Sequence, residues 1–347
     1  MNDARRYRGA VISAAETVAV TERELAAPGP GEVALRPLTV GICGSDLHIF
    51  SGNHPFVPLP CQPGHEMVGV VDVLGPGAGG VAPGDRVVVE PLLTCGECLL
   101  CRAGRYNLCR SRRVIGSRAP GGMAEVVNVP AARLHPVPAG FSDAEAALVE
   151  PLTAGVHAVR MAGDVAGRRV AVLGAGSIGL MTLVAALAAG AAAVVVTDPV
   201  QSKRDVARRL GATDAFDPRD DGVTDRIVAR LGERPDVILD CVSNQSSVDQ
   251  AVTLAERAGV VVAVGVATGP VSIPLQLVQD RELRLEGTAL YVADDVRRAI
   301  DVMAGARDEL RELVTATYPL ADVAAAFAAA RDPGQIKVQV RVQDGRP

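Results

Sequence analysis

Tryptophan is absent from the chain, and aromatic residues make up only 3% of it. A core without large rings must be assembled from Ala, Val, Leu and Ile, within a hydrophobic share of 48%. There is no basic block and no stripe of interleaved aromatic and basic residues, and the formal net charge is −5. Both features argue against nucleic acid as the main partner. The opening MNDARRYRGAVISA lacks the apolar run of a signal peptide. The longest apolar stretch, IGLMTLVAALAAGAAAVVV, is broken by Gly190 and reads as a buried helix and strand, not a membrane span. Low-complexity linkers and internal repeats are also missing. Histidines number five and cysteines seven. In a cytoplasmic chain, cysteines serve metal binding or chemistry rather than disulfides.

At 347 residues the chain exceeds one ordinary core, so two domains are expected. The first 150 residues are rich in Gly and Pro, with short runs such as EVALRPL, MVGVVDVLG, GDRVVVEP and MAEVVNVP. That pattern predicts an irregular, mostly antiparallel β-domain. Beyond residue 151, Val-rich runs (VAVLG, AVVVTD, VILDCV, GVVVAVG, LRLEGTAL) alternate with Ala-rich helical segments. Runs that are apolar throughout predict strands buried on both faces, hence a parallel sheet flanked by helices. The tail carries a helix, LADVAAAFAAARD, and a strand, IKVQVRV.

VAVLGAGSIGLMTLV is a strand, a G-x-G-x-x-G turn and a helix start. Gly174 permits the tight turn, Gly176 lets the backbone approach a pyrophosphate, and Gly179 lets helix and strand pack closely. The helix N-terminus, at Ser177 and Ile178, faces the phosphate charge. Asp198, 24 residues after Gly174, ends the next strand and is placed to accept hydrogen bonds from ribose hydroxyls. A carboxylate there repels a 2′-phosphate, which favours NAD over NADP, while Lys203 and Arg204 nearby pull the other way. Val242, Val264 and Val266 are further candidate cofactor-binding residues.

CGECLLCRAGRYNLC has the spacing C-x2-C-x2-C-x7-C. Cys95, Cys98, Cys101 and Cys109 can close a tetrahedron around zinc with no open position, which makes a structural site. A second, mixed set is dispersed. GICGSDLH carries Cys43, Ser45, Asp46 and His48; PGHEMVGVV carries His65 and Glu66; ALVEPLTAGVHA carries Glu150. Cys43 and His65 with Glu66 or Glu150 supply thiolate, imidazole and carboxylate, and a catalytic zinc needs about three such ligands and one open position. His54 either lines a pocket or caps a turn; His157 reads as packing and His135 as surface, and Cys61 and Cys241 read as ordinary thiols.

GICGSDLH, PGHEMVGVV, the four-cysteine lobe, EPLTAGVHAVR and VLGAGSIGL occur in the order seen in zinc-dependent medium-chain dehydrogenases, which the chain resembles over nearly its whole length. Glu150 in place of a cysteine resembles the sorbitol, threonine and sugar-acid branch, and SGNHPFVPLPCQPGHE with VIGSRAPGGMAEV looks most like galactonate-type members. The resemblance implies an α/β chain. A GroES-like β-rich catalytic domain spans residues 1–152, with a structural zinc lobe at 91–112. A doubly wound Rossmann domain spans 153–290, and residues 291–347 complete the catalytic domain. It also implies a homodimer or homotetramer, one catalytic and one structural zinc, and NAD.

The implied roles follow. Zinc on Cys43 and His65 lowers the pKa of a substrate hydroxyl. Ser45 hydrogen-bonds that oxygen, His48 ends the proton relay at solvent, and Asp46 holds the His65 ring. Glu66 and Glu150 exchange on and off the metal. Arg118, just before a strand that borders the substrate cleft in this family, could meet an anionic substrate group; His54 and Phe56 are further substrate candidates. The substrate is a small alcohol or ketone: a secondary alcohol of a polyol, sugar acid or cyclitol. Two alternatives are a threonine-type hydroxy-amino-acid dehydrogenase and a non-catalytic NAD(H)-binding sensor or scaffold.

Overall fold

The computed structural model describes residues 5–54, 56–267 and 269–343. The chain ends included in the expected domain ranges, residues 1–4 and 344–347, lie outside the described residues. Two compact units emerge: Met1–Glu150 with Val292–Ile300 and Arg311–Pro347, and Pro151–Tyr291 with Asp301–Leu310. The excursion of Asp301–Leu310 into the second unit departs from the expected bounds. Val302 and Ala306 share a small cavity there with Val184, Leu187 and Leu210.

The first unit is built on a seven-stranded sheet. Its order is Val314–Pro319, Lys337–Arg341, Glu32–Gly41, Glu66–Leu74, Arg86–Val89 and Leu134–Pro136, with Val127–Pro130 also paired to Glu32–Gly41. All pairings are antiparallel except that of Val314–Pro319 with Lys337–Arg341. Val33, Leu35, Met67, Val71, Val340 and Phe327 are buried in one cluster over this sheet. Each buried aliphatic side chain contributes about 1.5–3 kcal/mol. The run MAEVVNVP forms a strand only at Val127–Pro130.

A hairpin, Arg5–Ala14 with Thr17–Leu25, was not among the expected strands. Its exposed face alternates charges such as Arg8, Glu22 and Glu24, so a period-two pattern is masked by polar residues. His135 also departs from expectation: it is buried, with Nε2 3.5 Å from the fully buried Glu90, which accepts a hydrogen bond from Arg133 Nη1 at 2.8 Å. A buried carboxylate needs such partners.

The second unit holds six parallel strands: β1 (Arg169–Leu173), β2 (Ala193–Thr197), β3 (Asp214–Phe216), β4 (Val237–Asp240), β5 (Val260–Ala263) and β6 (Arg284–Gly287). Their order is β3-β2-β1-β4-β5-β6, the doubly wound order in which the chain reverses direction across the sheet beside β1. The central strands β1, β2 and β4 bury almost every side chain, which explains their continuous apolar runs. The long apolar stretch is the helix Ser177–Ala188 followed by β2, with Gly190 at φ +85° between them. Cys241 lies just after β4 rather than on it, its Sγ 3.6 Å from Thr182 Oγ1.

A Cβ on Gly179 would sit 1.8 Å from Gly174 O, whereas one on Gly176 would meet nothing within 4 Å. Gly179→Ala is therefore expected to cost at least about 1–3 kcal/mol in urea denaturation, and Gly176→Ala less than about 0.5 kcal/mol. Equal losses would mean that the turn relaxes freely.

Candidate metal centres and cofactor site

Cys43, His65 and Glu66 bring one ligand atom each within 4.8 Å of one another. They come from three chain positions. Cys43 follows the strand Glu32–Gly41 and stands before the helix Gly44–Phe50; His65 stands just before, and Glu66 opens, the strand Glu66–Leu74. Gly41 is the register partner of Glu66 on one side and of Gln339 on the other. A Cβ at Gly41 would lie 2.0 Å from Glu66 Oε2, so glycine makes room for the carboxylate.

Asp46, fully buried, supports two ligands at once. Its Oδ2 accepts from Cys43 N at 2.9 Å, and its Oδ1 lies 3.7 Å from His65 Nδ1 with no hydrogen-bond partner. With Nδ1 nearest Asp46, Nε2 is the nitrogen left for a metal. Burial pushes the Asp46 carboxyl up, against the pull of His65. Burial works against charge on His65, but Asp46, Cys43 and Glu150 together hold its pKa well above the ordinary value. Glu150, in the first turn of the helix Val149–Ala162, is buried and lies outside the three-residue group.

Lys337 is the residue that sequence reasoning missed. Its Nζ donates to both Glu66 oxygens at 2.7 Å and to Ile42 O at 3.2 Å. Burial lowers its pKa, yet Glu66, Cys43 and Glu150 raise it further. A lysine opening the buried strand of IKVQVRV was the available signal. One lysine among Cys43, Asp46, Glu66 and Glu150 leaves the centre rich in anionic donors, which suits a divalent cation.

In the lobe, Cys95, Cys98, Cys101 and Cys109 gather within 4.8 Å. Sγ separations are 3.5 Å for Cys98–Cys101, 3.5 Å for Cys95–Cys109 and 3.9 Å for Cys95–Cys101. A tetrahedron with Zn–S bonds of about 2.3 Å has edges of about 3.8 Å, so the donor set fits zinc. The Cys101 backbone N–H draws the Cys98 thiol down to about 6, while desolvation pushes Cys101 up to about 11. The strand pair Leu92–Leu93 and Arg113–Val114 closes the base of the lobe.

In the second unit Gly174 takes φ +93° and Gly176 caps the helix Ser177–Ala188, with Ile178 in its first turn. Ser177 Oγ is buried without a hydrogen-bond partner, and space above Gly176 is open, as a pyrophosphate at a helix N-terminus requires. Asp198 Oδ2 accepts from Ala175 N and Oδ1 from Val200 N, both at 2.8 Å, so the carboxylate is pinned beside the glycine turn with acceptor sites to spare. Arg204 is held away from it, donating to Asp198 O at 2.6 Å and to Gln201 Oε1 at 2.5 Å. Lys203 lies on the same helix, Gln201–Arg209. Val242 and Val266 are exposed. Val264 follows β5 and donates its N–H to Asp240 O.

Ser45 and His48 share a face of the helix Gly44–Phe50, three residues apart. His54 Nδ1 accepts from Phe56 N at 3.2 Å, so this histidine caps a turn. Partial burial and the neighbouring His48 lower its pKa. Phe56 is exposed. Arg118 lies in the turn Gly116–Arg118, well before the strand at Val127, against a surface cavity.

Residues 29–139 match the alcohol dehydrogenase GroES-like domain, and residues 177–305 match the zinc-binding dehydrogenase domain. A 2-dehydro-3-deoxy-L-galactonate 5-dehydrogenase from Pseudoalteromonas atlantica is 36% identical, over 89% of this chain and 91% of its own length. A sorbitol dehydrogenase from Bombyx mori is 32% identical, over 96% and 98%. Among solved structures, a zinc-binding dehydrogenase from Sinorhizobium meliloti 1021 bound to NADP superposes with a TM-score of 0.91 at 32% identity, over 97% of this chain and all of the other.

Lys337→Met is expected to lower the unfolding free energy by about 3–5 kcal/mol, because Glu66 keeps a buried charge without a partner. Adding Glu66→Gln should recover much of that loss; urea denaturation of both variants decides it. Metal analysis of the purified chain is expected to find two zincs, and Cys98→Ser should lose one together with thermal stability. Full zinc content in Cys98→Ser would remove the lobe as a metal site.

Proposed function

The chain belongs to the zinc-binding alcohol dehydrogenases with a GroES-like domain, and we propose that it oxidises a secondary alcohol of a polyol, sugar acid or cyclitol with NAD as hydride acceptor. The gathering of Cys43, His65 and Glu66 around one point, backed by Asp46, is the observation that carries this reading. A metal held there, with Glu66 or Glu150 as the carboxylate ligand, supplies Lewis-acid activation of the alcohol, and the nicotinamide supplies the hydride acceptor.

The chain's own residues do the rest. Ser45 Oγ would hydrogen-bond the substrate hydroxyl and hand its own proton on as it takes that one up, and His48, exposed on the same helix face, would release a proton to water at the end of the relay. Asp46 holds the Cys43 backbone through a hydrogen bond and faces the His65 ring as a charged neighbour, which keeps Nε2 turned toward the metal position. Gly174, Gly176, Ser177 and Gly179 cradle the pyrophosphate, and Asp198 accepts from the adenosine ribose. A 2′-phosphate would have to approach the pinned Asp198 carboxylate, with Arg204 committed to Asp198 O and Gln201. That supports NAD over NADP. His54 and Phe56, next to His48 in the chain, are candidates to border the substrate, and Arg118 is a candidate partner for an anionic group. The relatives acting on galactonate derivatives and sorbitol support a polyhydroxy substrate.

We also read the chain as a cytoplasmic homodimer or homotetramer. None of its seven cysteines is in a disulfide, and no described helix is long and apolar enough to cross a membrane.

Zinc-loaded protein assayed on a panel of polyols and sugar acids is expected to form NADH, with kcat/KM higher for NAD than for NADP. Cys43→Ser should abolish turnover while NADH binding, read by fluorescence, persists. No turnover on any secondary alcohol, with both zincs in place, would return the non-catalytic reading. A clear NADP preference would mean that Lys203 and Arg204 outweigh Asp198.

A further inference from the structure

Arginines in this chain are mostly paired. Arg8 meets Glu125, Arg86 meets Asp143, Arg133 meets Glu90, Arg169 meets Asp236 and Arg219 meets Asp217. One group is different. A cavity of about 580 Å3 on the first unit is lined by Arg23, Arg110, Arg112, Arg113 and Arg118, and by no Asp or Glu. They come from three segments: the strand Thr17–Leu25, the stretch after Cys109, and the turn Gly116–Arg118. Among the described residues, none of the five forms an ion pair.

Five guanidinium groups repel one another across a concave wall. Their planar forks match oxyanions, two N–H groups to two oxygens. The volume falls in the range of about 300–1,000 Å3 typical of small-molecule sites. The wall is also preformed. Cys61 Sγ donates to Gly116 O at 3.5 Å and to Ser117 O at 3.4 Å, and a Cβ on Gly116 would lie 2.9 Å from His65 N. The turn bearing Arg118 therefore lies against the segment that leads to His65. The chain as a whole is acidic, so the cluster is a local feature and not part of a general basic surface.

We propose that this cavity binds a small multivalent oxyanion, a phosphate- or carboxylate-bearing metabolite, gripped by Arg23 on one wall and Arg112 and Arg118 on the others. The site shares Arg118 with the candidate substrate residues, but its test rests on Arg23 and Arg112 and reads anion binding, not turnover, so it can fail while the dehydrogenase reading stands.

The test is calorimetric titration of zinc-loaded full-length protein, saturated with NADH so that the glycine turn is filled. One arm uses inorganic phosphate and the other succinate. Saturable binding of one anion per chain is expected in at least one arm, weakening as NaCl is added. The stronger arm identifies a phosphoryl or a dicarboxylate ligand. Arg23→Glu and Arg112→Glu, on separate segments, should each weaken binding about tenfold or more while the melting temperature and zinc content stay unchanged. Absence of saturable binding in both arms overturns the proposal, as does binding that both variants retain. Variants that change the sedimentation of the protein, with no anion bound by the wild type, would also overturn it and assign the arginines to contact with a second copy.

Discussion

Lys337 grips Glu66 through both carboxylate oxygens, and neither side chain is exposed to water. Taking two charges out of water costs several kcal/mol each, and the cost is recovered only at good geometry. Three strands must therefore be in one register. Gly41, Glu66 and Gln339 are partners across them, and a side chain at Gly41 would collide with the carboxylate. Cys43 follows the first of these strands and His65 precedes the second, so the register that satisfies the buried pair also brings the two metal ligands together. The tail of the chain thereby completes a site whose other members, Glu150 apart, lie within the first 66 residues.

The two metal centres solve different electrostatic problems. The lobe is local: four thiols within fifteen residues, at separations close to the edge of a zinc–sulfur tetrahedron, with backbone N–H groups drawing thiols toward ionisation. Such a set closes on its metal and leaves no position for substrate. The other centre is assembled from distant segments, mixes sulfur, nitrogen and oxygen, and carries a lysine that offsets one carboxylate. Its surplus of anionic groups raises His65 and Lys337 together, as expected where a cation belongs.

In the cofactor half, backbone geometry shapes the turn. Gly179 lets the helix approach the first strand's turn, Gly176 leaves open space, and the unpartnered Ser177 hydroxyl waits at the helix start. Asp198 closes the arrangement by binding the turn through Ala175 N. The same carboxylate that would read the ribose thus also holds the loop that would bind the pyrophosphate.

Much of this was legible from residue order alone. The glycine turn, the four-cysteine lobe and the Val-rich parallel strands are short-range patterns, and short-range patterns carry over directly into local geometry. Asp46 was legible as a neighbour of the His65 ring from its place in GICGSDLH, whereas its hydrogen bond to the Cys43 backbone came only with the helix cap. The sequence by itself therefore determined the two-unit α/β architecture, the metal chemistry and the cofactor turn. Tertiary structure alone decided the role of Lys337, 271 residues from Glu66, the burial of His135 beside Glu90, and the convergence of five arginines from three segments on one cavity. Pairing between charges far apart in the chain leaves no periodicity to read, because it depends on which strands become neighbours, and the collective burial of the whole sheet sets that order.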